Sequence, residues 1–293
     1  MERNVSMTHG LIIPTRNAGE QFKKLLEQID RQNLSISRKL LIDSASADDT
    51  KIHAAAHGFE TLEIRREEFN HGTTRQKGFL HIAESVDTVI FLTQDVLLPD
   101  KYSLQRLVEP FADEKVGATY GRQLPHENAS FGAALQRQFS YPAESRRKRL
   151  SDRKELGIRT AFLSDSFAAY RVKALNAAGG FPETNVSEDM YVAAKMLLAG
   201  WEIQYTAEAK AHHSHELSLR QSFRRYYDTG LFHHDNPWLL EGFGKSEGTG
   251  LELLKAQMNA ARERNAPFTA LRFILDDTVK YISYRLGKMA FFE

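Results

Sequence analysis

The sequence LIIPTRNAGEQFKKLLEQIDRQNLSISRKLLID, residues 11–43, contains an apolar strand, an amphipathic helix and a second apolar strand. The helix is indicated by apolar side chains at the spacing of one helix face, namely Phe22, Leu25, Leu26 and Ile29. The central residues of both strands, 11–13 and 40–42, are apolar, as expected for parallel strands covered on both faces. We therefore predict a βαβ unit at the start of the fold.

The same alternation continues through the first half of the chain. Further strands are predicted at residues 61–65, 88–93 and 116–122, with helices over 50–57 and 75–85. Polar clusters follow several of these strands, and open α/β sheets bind ligands beyond the carboxyl ends of their strands. We predict an α/β fold with a mostly parallel central sheet that is flanked by helices.

The second half of the chain is less regular. Strand character over residues 162–171 and 202–206 brackets a predicted helix at 190–199, which Gly200 ends as a C-terminal cap. From residue 217 onward the pattern is largely helical. We place one α/β domain over residues 1–215 and a helical extension over 216–293.

The composition excludes several classes of protein. The 293 residues carry 39 Lys+Arg against 38 Asp+Glu, a net charge of +1, which argues against a nucleic-acid partner. The absence of cysteine excludes disulfides, zinc–thiolate sites and thiol nucleophiles. The first ten residues, MERNVSMTHG, contain no apolar segment typical of a secretory signal, and no apolar run has the length of a membrane helix. We expect a cytoplasmic protein.

One segment departs from this near-neutrality. Residues 137–159 contain eight basic and three acidic residues, a local charge of +5. The sequence Arg146-Arg-Lys-Arg149 within it is typical either of a contact with an anionic membrane or of a solvated loop over the active site. The C-terminal stretch at 280–292 mixes cations with aromatic residues, as interfacial helices do, or else packs on its own domain or on a second copy.

Carboxylates and histidines are the residues able to carry chemistry. The chain lacks the phosphate loop, the Gly-x-Gly-x-x-Gly turn, the Gly-x-Ser-x-Gly elbow and the His-Glu-x-x-His motif. Asp95 follows the most apolar strand, where a rigid carboxylate would bind Mg²⁺ or Mn²⁺, although an Asp there also starts turns. The histidines near residue 213 are either metal ligands or surface residues.

The pair Glu188-Asp189 has two interpretations. Ser187 is a plausible N-cap, and acidic residues in a first helical turn interact favourably with the helix dipole. A positioned carboxylate is also a suitable base for an incoming hydroxyl group. Spacing alone favours the capping interpretation.

In their joint order, eight segments resemble those of family 2 glycosyltransferases of the GT-A fold, and most closely bacterial rhamnosyltransferases of O-antigen and related polysaccharide assembly. The resemblance extends to about residue 235, and Phe69-Asn-His-Gly-Thr-Thr-Arg75 indicates the rhamnosyl subgroup. The other segments are Ile13–Asn17, Ile42–Thr50, Thr93–Asp95, Gly179–Phe181, Ser187–Asp189, His213–His215 and Arg225–Gly230.

The resemblance implies a role for particular residues on the donor side. Pro14, Thr15 and Arg16 would lie against the nucleotide, and Asp43 would hydrogen-bond a pyrimidine base. The nucleotide-sugar pocket would be lined by His71, Gly72 and Arg75, with Arg75 near the diphosphate. The resemblance also divides the domain into a nucleotide-sugar half, about 1–122, and an acceptor half, about 123–215.

It also implies a metal ion and a base. Asp95 takes the place of the family's two-carboxylate metal motif, in which Gln94 supplies no charge. His213 would be a further ligand, with His215 as the competitor. Asp189 would be the catalytic base, and Glu188 is the alternative.

The activity implied is inverting, metal-dependent transfer of a sugar, with Mg²⁺ or Mn²⁺ as cofactor. The donor expected is dTDP-L-rhamnose and the acceptor a lipid-linked saccharide, which suggests work at the inner face of the cell membrane as a peripheral protein. Two alternatives stay open: a transferase that uses a UDP-sugar, and a nucleotide-sugar-binding protein without activity. A homo-oligomer is compatible with all of these.

Overall fold

A computed structural model describes residues 7–244 and 247–290 of the protein. Its strands form one eight-stranded sheet in the order β3-β2-β1-β4-β7-β5-β8-β6. They are β1 (His9–Thr15), β2 (Arg38–Ser44), β3 (Glu60–Ile64), β4 (Thr88–Leu92), β5 (Val116–Leu124), β6 (Arg146–Lys148), β7 (Phe167–Arg171) and β8 (Glu202–His212).

The pairing of these strands is mainly parallel. β1 lies parallel to β2 and β4, β2 to β3, and β5 to β8. β7 runs antiparallel between β4 and β5, and β6 runs antiparallel to β8 at the edge. The predicted α/β fold with a mostly parallel central sheet is confirmed.

Helices cover both faces of the sheet and form the end of the described chain. They are α1 (Gly19–Asp30), α2 (Thr50–Ala56), α3 (His71–Ile82), α4 (Ser103–Val108), α5 (Phe131–Ser140), α6 (Arg153–Leu156), α7 (Val172–Ala177), α8 (Glu188–Leu198), α9 (Leu219–Asp235), α10 (Pro237–Phe243), α11 (Glu247–Glu263) and α12 (Pro267–Lys288). None of the helices within the described ranges has the length and hydropathy needed to cross a bilayer.

Alternating side chains of the strands divide the core between the two faces of the sheet. Ile12 of β1 packs with Phe79 of α3 on one face, and Ile13 packs with the buried stripe of α1 on the other. Side chains of α9 and α10, such as Phe232 and Leu239, belong to the same core as Ile12. The helical extension therefore shares a core with the sheet, and the boundary at 215/216 stays a prediction.

Three boundaries differ from those predicted. α3 begins four residues before the predicted residue 75, because the side chain of Asn70 accepts hydrogen bonds from the N–H groups of Gly72 and Thr73. β8 runs to His212 rather than to residue 206, since it stays paired with β5. The strand character predicted over 162–171 is confined to β7.

The basic sequence 146–149 lies at the sheet edge. Arg147 forms ion pairs with Asp113 and Glu202, and Arg149 pairs with the same Glu202. Lys148 is buried over the ring of Tyr120, and burial lowers the pKa of its ammonium group to about 7. The expectation of a solvated loop is therefore wrong for β6, because strand pairing and carboxylates hold these cations.

The C-terminal helix packs closely on α9. A Cβ atom added to Gly230 of α9 would lie 2.2 Å from the carbonyl oxygen of Tyr284, and one on Gly287 of α12 would lie 2.0 Å from that of Tyr227. Only glycine permits this approach of two helix backbones. One face of α12 thus packs on its own chain; Phe291 and Phe292 of the predicted 280–292 stretch lie outside the described residues.

Candidate active site

The carboxyl ends of adjacent strands gather the polar segments at one edge of the sheet. Thr15 and Arg16 follow β1, Asp43 lies near the end of β2, and Gln94 and Asp95 follow β4. Hydrogen bonds in both directions between Leu97 and His212 then hold the end of β8 against the segment after β4. This edge is where an open α/β sheet binds its ligands.

Asp95, His213 and His215 form a cluster suited to a metal ion. The Nε2 atoms of His213 and His215 lie 3.5 and 3.3 Å from Oδ2 of Asp95, and the possible ligand atoms all lie within 4.8 Å of one another. His212 points elsewhere, and its Nδ1 lies 2.9 Å from the carbonyl oxygen of Pro125. The structure thus brings together both histidines that the sequence offered as competitors.

Gln123 determines which ring nitrogen of His213 carries the proton. Oε1 of Gln123 accepts a hydrogen bond from Arg137 at 2.6 Å and lies 2.8 Å from Nδ1 of His213. An amide oxygen only accepts, so Nδ1 must carry the proton and Nε2 must present a lone pair. That Nε2 atom is buried and makes no hydrogen bond within the described residues. Metal-binding histidines typically donate a hydrogen bond from the second ring nitrogen in this way.

The protonation states of Asp95 and His213 favour the binding of a metal cation. Burial raises the pKa of the Asp95 carboxyl, but the hydrogen bond and positive charge of His213 when it is protonated, together with the charge of protonated His215, outweigh burial and hold that pKa below its ordinary value. Burial lowers the pKa of His213 to about 4. Near pH 7 the cluster therefore combines an ionised carboxylate with a neutral buried imidazole, the state in which both bind metals.

A cleft of about 910 Å³ opens beside this cluster. Asp95 and His215 line it together with residues that the sequence reasoning did not select, including Gln21, Lys24, His126 and Glu216. Nε2 of Gln21 donates to the backbone carbonyl of Asp95 at 2.5 Å, which holds the backbone at Asp95 in place. The volume is typical of pockets that bind small molecules.

A second cluster encloses Arg75 between carboxylates. Nε of Arg75 lies 3.0 Å from Oδ2 of Asp165, and Nη1 lies 2.9 Å from Oε1 of Glu188. Tyr170 donates its hydroxyl proton to Asp165 at 2.5 Å, and the backbone N–H of Asp165 donates to Asp189 at 3.4 Å. Arg75, Asp165 and Glu188 are almost fully buried, whereas Asp189 is partly exposed.

This cluster holds more carboxylates than cations. Burial raises the pKa of Asp165 to about 7, and Arg75 only partly opposes the effect. Burial and the charges of Glu188 and Asp165 also raise the pKa of Asp189 well above its ordinary value. A carboxyl with a raised pKa is a stronger base once ionised, which suits the deprotonation of a hydroxyl group.

The capping interpretation is confirmed only in position: Ser187 precedes α8 with both acidic residues in its first turn, but the side chain of Ser187 does not cap the helix. Ser187 has a left-handed backbone with φ 59°, and its side chain makes no cap hydrogen bond. Asp189 accepts from the N–H of Met190 at 2.8 Å, and Glu188 faces Arg75. Glu188 therefore points into the cluster, whereas Asp189 contacts both the first turn of α8 and the backbone N–H of Asp165 in the cluster.

The predicted nucleotide-binding residues have definite partners. The side-chain amide of Gln94 accepts from the N–H of Arg16 at 2.7 Å and donates to its carbonyl at 3.3 Å, which ties the ends of β1 and β4 together. Thr15 and Asp43 are buried; Oδ2 of Asp43 accepts from Ser46, and its Oδ1 has no hydrogen-bond partner within the described ranges. Pro14 is partly exposed and Arg16 is exposed.

The Phe69–Arg75 segment contributes mainly to packing. A Cβ atom on Gly72 would lie 1.7 Å from the carbonyl oxygen of Pro182, so this position requires glycine for α3 to dock on the loop before α8. His71 is exposed beside Arg75, 3.2 Å from its Nη1. The guanidinium of Arg75, expected near a diphosphate, is occupied by Asp165 and Glu188.

Arg225 of α9 is a cation that the sequence reasoning left without a role. Its charge adds to the effect of burial in lowering the pKa of both His71 and His215, so it lies near the two histidines. The side chain is exposed at the edge of the site. The sequence contained an indication of this role, because Arg225 is the first residue of Arg225–Gly230, one of the eight segments on which the resemblance rests.

Comparison with known proteins identifies the relatives of this chain. The model of the glycosyl transferase family 2 matches residues 11–179. The O-antigen chain rhamnosyltransferase WbaN of Salmonella anatum is 43% identical over 280 residues, which cover 95% of this chain and 88% of that protein. The O-antigen chain rhamnosyltransferase RfbN of Salmonella typhimurium is 40% identical over 282 residues, with the same coverage.

Solved structures of lower identity share the fold. A mannosyltransferase from Pyrobaculum calidifontis, in complex with GDP-Man and Mn²⁺, has a TM-score of 0.67 at 18% identity, over 98% of this chain and 88% of that one. TarS 1-349 of S. aureus, in complex with UDP-GlcNAc, has a TM-score of 0.58 at 14% identity, over 97% and 91%. The predicted GT-A fold is confirmed.

Proposed function

The chain belongs to glycosyl transferase family 2, and on that premise we propose that it transfers L-rhamnose from dTDP-L-rhamnose to a lipid-linked saccharide in O-antigen assembly. It is a glycosyltransferase, so the alternative of a binding protein without activity is not retained. Support for rhamnose comes from relatives of 43% and 40% identity that carry this activity in their names. A lipid-linked acceptor would bring the enzyme to the inner face of the membrane.

The proposal depends most on the cluster of Asp95, His213 and His215. Its three ligand atoms are close enough to share one ion, and the buried Nε2 of His213 has no other partner among the described residues. Mg²⁺ prefers oxygen ligands, so two imidazoles and one carboxylate favour Mn²⁺. A bound cation there neutralises the charge that develops on the departing nucleoside diphosphate.

Asp189 is the residue that we propose as the base. It is partly exposed, and burial together with the neighbouring carboxylates raises its pKa. Glu188 is less suited, because its carboxylate is buried against Arg75. Asp189 would take the proton of the acceptor hydroxyl, and a single base without a second nucleophile leads to inversion at the sugar carbon.

The remaining residues would hold the donor. Oδ1 of Asp43 has no hydrogen-bond partner among the described residues and would accept from the N–H of a pyrimidine, but Asp43 is buried, so the residues that cover it would have to move. Pro14, Thr15 and Arg16 would contact the nucleotide, and His71 would face the pocket. We assign the diphosphate to Arg225 rather than to Arg75, because Arg225 is exposed near His71 and His215.

The donor can be tested by thermal shift with and without Mn²⁺. Thymine and uracil present the same N–H to Asp43, so the transferase that uses a UDP-sugar remains the competing proposal. We expect dTDP-L-rhamnose with Mn²⁺ to raise the unfolding temperature more than UDP-sugars do, because ligand binding stabilises the folded state. Equal shifts would remove the rhamnose assignment, and no shift with any nucleotide sugar would contradict the donor site.

Asp189→Asn tests the base separately. Donor binding should be retained, while transfer falls by about 10²–10⁴-fold, the usual contribution of a general base. Glu188→Gln is the matched variant, and we expect it to lose stability more than it loses turnover in the enzyme that remains folded. Transfer by Asp189→Asn within a few-fold of the wild type would show that another group is the base.

A further inference from the structure

Helix α12 has an apolar face that no other described residue covers. Phe273, Tyr284 and Gly287 are buried on the side of the helix that packs against the rest of the chain. The other side exposes large apolar side chains along its length: Phe268, Leu271, Ile274, Leu275, Tyr281 and Ile282. Phe268 is 87% exposed, Leu271 65% and Leu275 52%. Contiguous apolar surface of this kind marks an interaction site.

The fully exposed charged side chains of α12 are both cations. The exposed positions of α12 include Arg272 and Arg285, and none of them carries a carboxylate. Asp276 and Asp277 are only partly exposed; Asp277 pairs with Lys280 at 2.8 Å, and Asp276 lies 3.9 Å from Arg272. The surface thus combines apolar side chains with cations.

We propose that this face of α12 docks on an anionic lipid surface. Aromatic and aliphatic side chains would enter the boundary of the acyl region, while the long side chains of Arg272 and Arg285 reach the lipid phosphates. A second copy of the chain fits less well. In a two-fold dimer the same face meets itself, so Arg285 would meet no exposed carboxylate of the partner's α12.

The packing of α12 relates this docking surface to the active site. α12 is in backbone contact with α9 at Gly230 and Gly287, and α9 carries Arg225 beside the site. A docked α12 would therefore hold the site close to the lipid surface. The inference rests on the proposed lipid-linked acceptor for its purpose, but the docking itself is independent of the donor.

Sedimentation with vesicles tests this surface. We expect the full-length protein to pellet with vesicles of phosphatidylglycerol and phosphatidylcholine at low salt, and to be released at high salt. The double variant Leu271→Glu/Leu275→Glu should bind at least about tenfold more weakly, since two leucines no longer enter the bilayer. Its control is Ile52→Glu/Leu80→Glu, which alters comparably exposed side chains elsewhere, 68% and 62%.

Further measurements separate the possible outcomes. The Arg272→Gln/Arg285→Gln variant should lower binding to anionic vesicles without changing the residual binding to neutral ones. This variant also provides a test if the substitutions Leu271→Glu/Leu275→Glu disturb folding. Absence of vesicle binding by the wild type, or equal loss in the control pair, would overturn the proposal. If the wild type and the control variant were dimers and the Leu271→Glu/Leu275→Glu variant were a monomer, the face would be assigned to a second copy and the lipid proposal would be wrong. The donor-induced thermal shift, measured without vesicles, reports on the proposed function alone.

Discussion

Two clusters at the same edge of the sheet are built in opposite ways. The cluster of Asp95, His213 and His215 leaves Nε2 of His213 without a hydrogen-bond partner among the described residues and borders an open cleft. The cluster around Arg75 pairs its guanidinium with buried Asp165 and Glu188. The first cluster can take up a metal ion from solution. In the second cluster the cation is a side chain of the protein, the guanidinium of Arg75. A site for an exchangeable ion and a site for a fixed charge therefore differ in exposure and in whether a side chain of the protein supplies the cation.

One short segment connects the two clusters. Ser164 accepts a hydrogen bond from the side-chain amide of Gln123, which braces His213, and the backbone N–H of Asp165 donates to Asp189. A displacement of residues 164–166 would thus disturb both clusters. The variants below are chosen so that each affects mainly one of them.

Arg75→Met should have the largest effect, and it should affect folding. It leaves Asp165 and Glu188 buried without their cation, which costs about 3–5 kcal/mol for a broken buried pair. Denaturant unfolding measures the loss. Arg65→Met is the control, because Arg65 pairs with Glu68 at the surface, where an ion pair contributes less than about 1 kcal/mol. Similar losses in both variants would show that the Arg75 cluster does not support the fold.

Asp95→Asn should instead leave the fold nearly unchanged and remove metal binding. It deletes the only carboxylate of the cluster, so we expect Mn²⁺ affinity to fall by more than about 100-fold, beyond the effect of altering a supporting residue. Titration followed by the EPR signal of free Mn²⁺ measures this directly, and transfer should fall with it. Unchanged Mn²⁺ affinity would mean that the ion binds elsewhere.

The sequence was sufficient for those features that depend on neighbouring residues. The stripe of α1, the apolar β4 and the position of Asp95 after it follow from local pattern. These predictions needed no knowledge of strand order. The sequence itself drew attention to the pair Glu188-Asp189, but the catalytic role of Asp189 came from the resemblance, since spacing alone favoured capping.

The contacts of the site depended on residues far apart in the chain. Gln123 and His213 are 90 positions apart, and Asp165 approaches Arg75 because β7 inserts antiparallel beside β4. Strand order is set by the packing of the whole core, so a one-dimensional pattern does not contain it. For the same reason the sequence analysis did not select Asp165 or Gln123, and it did not foresee the carboxylates that pair with Arg75.

Gln123→Leu should have an intermediate effect, confined to the metal cluster. Without the acceptor for Nδ1, His213 is no longer held in the tautomer that presents Nε2, and loss of such a brace typically lowers metal affinity by about 10–100-fold. Gln123→Glu keeps an acceptor for both Arg137 and His213, so it should retain more of the affinity. The Mn²⁺ titration compares them. If the two variants were equally impaired, the tautomer would not be the cause.

Asp165→Asn should change the pH dependence of the unfolding free energy. The pKa of Asp165 is raised to about 7 in the folded protein, above its unfolded value of about 3.9. Between these values the folded state holds a proton that the unfolded state has lost, so this group's stabilisation is greatest at low pH and is lost as pH rises toward 7. The buried His213 acts in the opposite direction, because its pKa of about 4 means that its contribution is lost as pH falls below 6.5.

In metal-free protein the two groups therefore offset each other between about pH 4 and pH 6.5. Removing Asp165 should make the unfolding free energy rise with pH relative to the wild type, by up to about 1.4 kcal/mol per pH unit for one proton. His213→Gln should change the slope in the opposite sense. Denaturant unfolding at several pH values in EDTA measures both slopes. Parallel curves for Asp165→Asn and the wild type would show that Asp165 is ionised throughout, and that Arg75 alone balances the buried cluster.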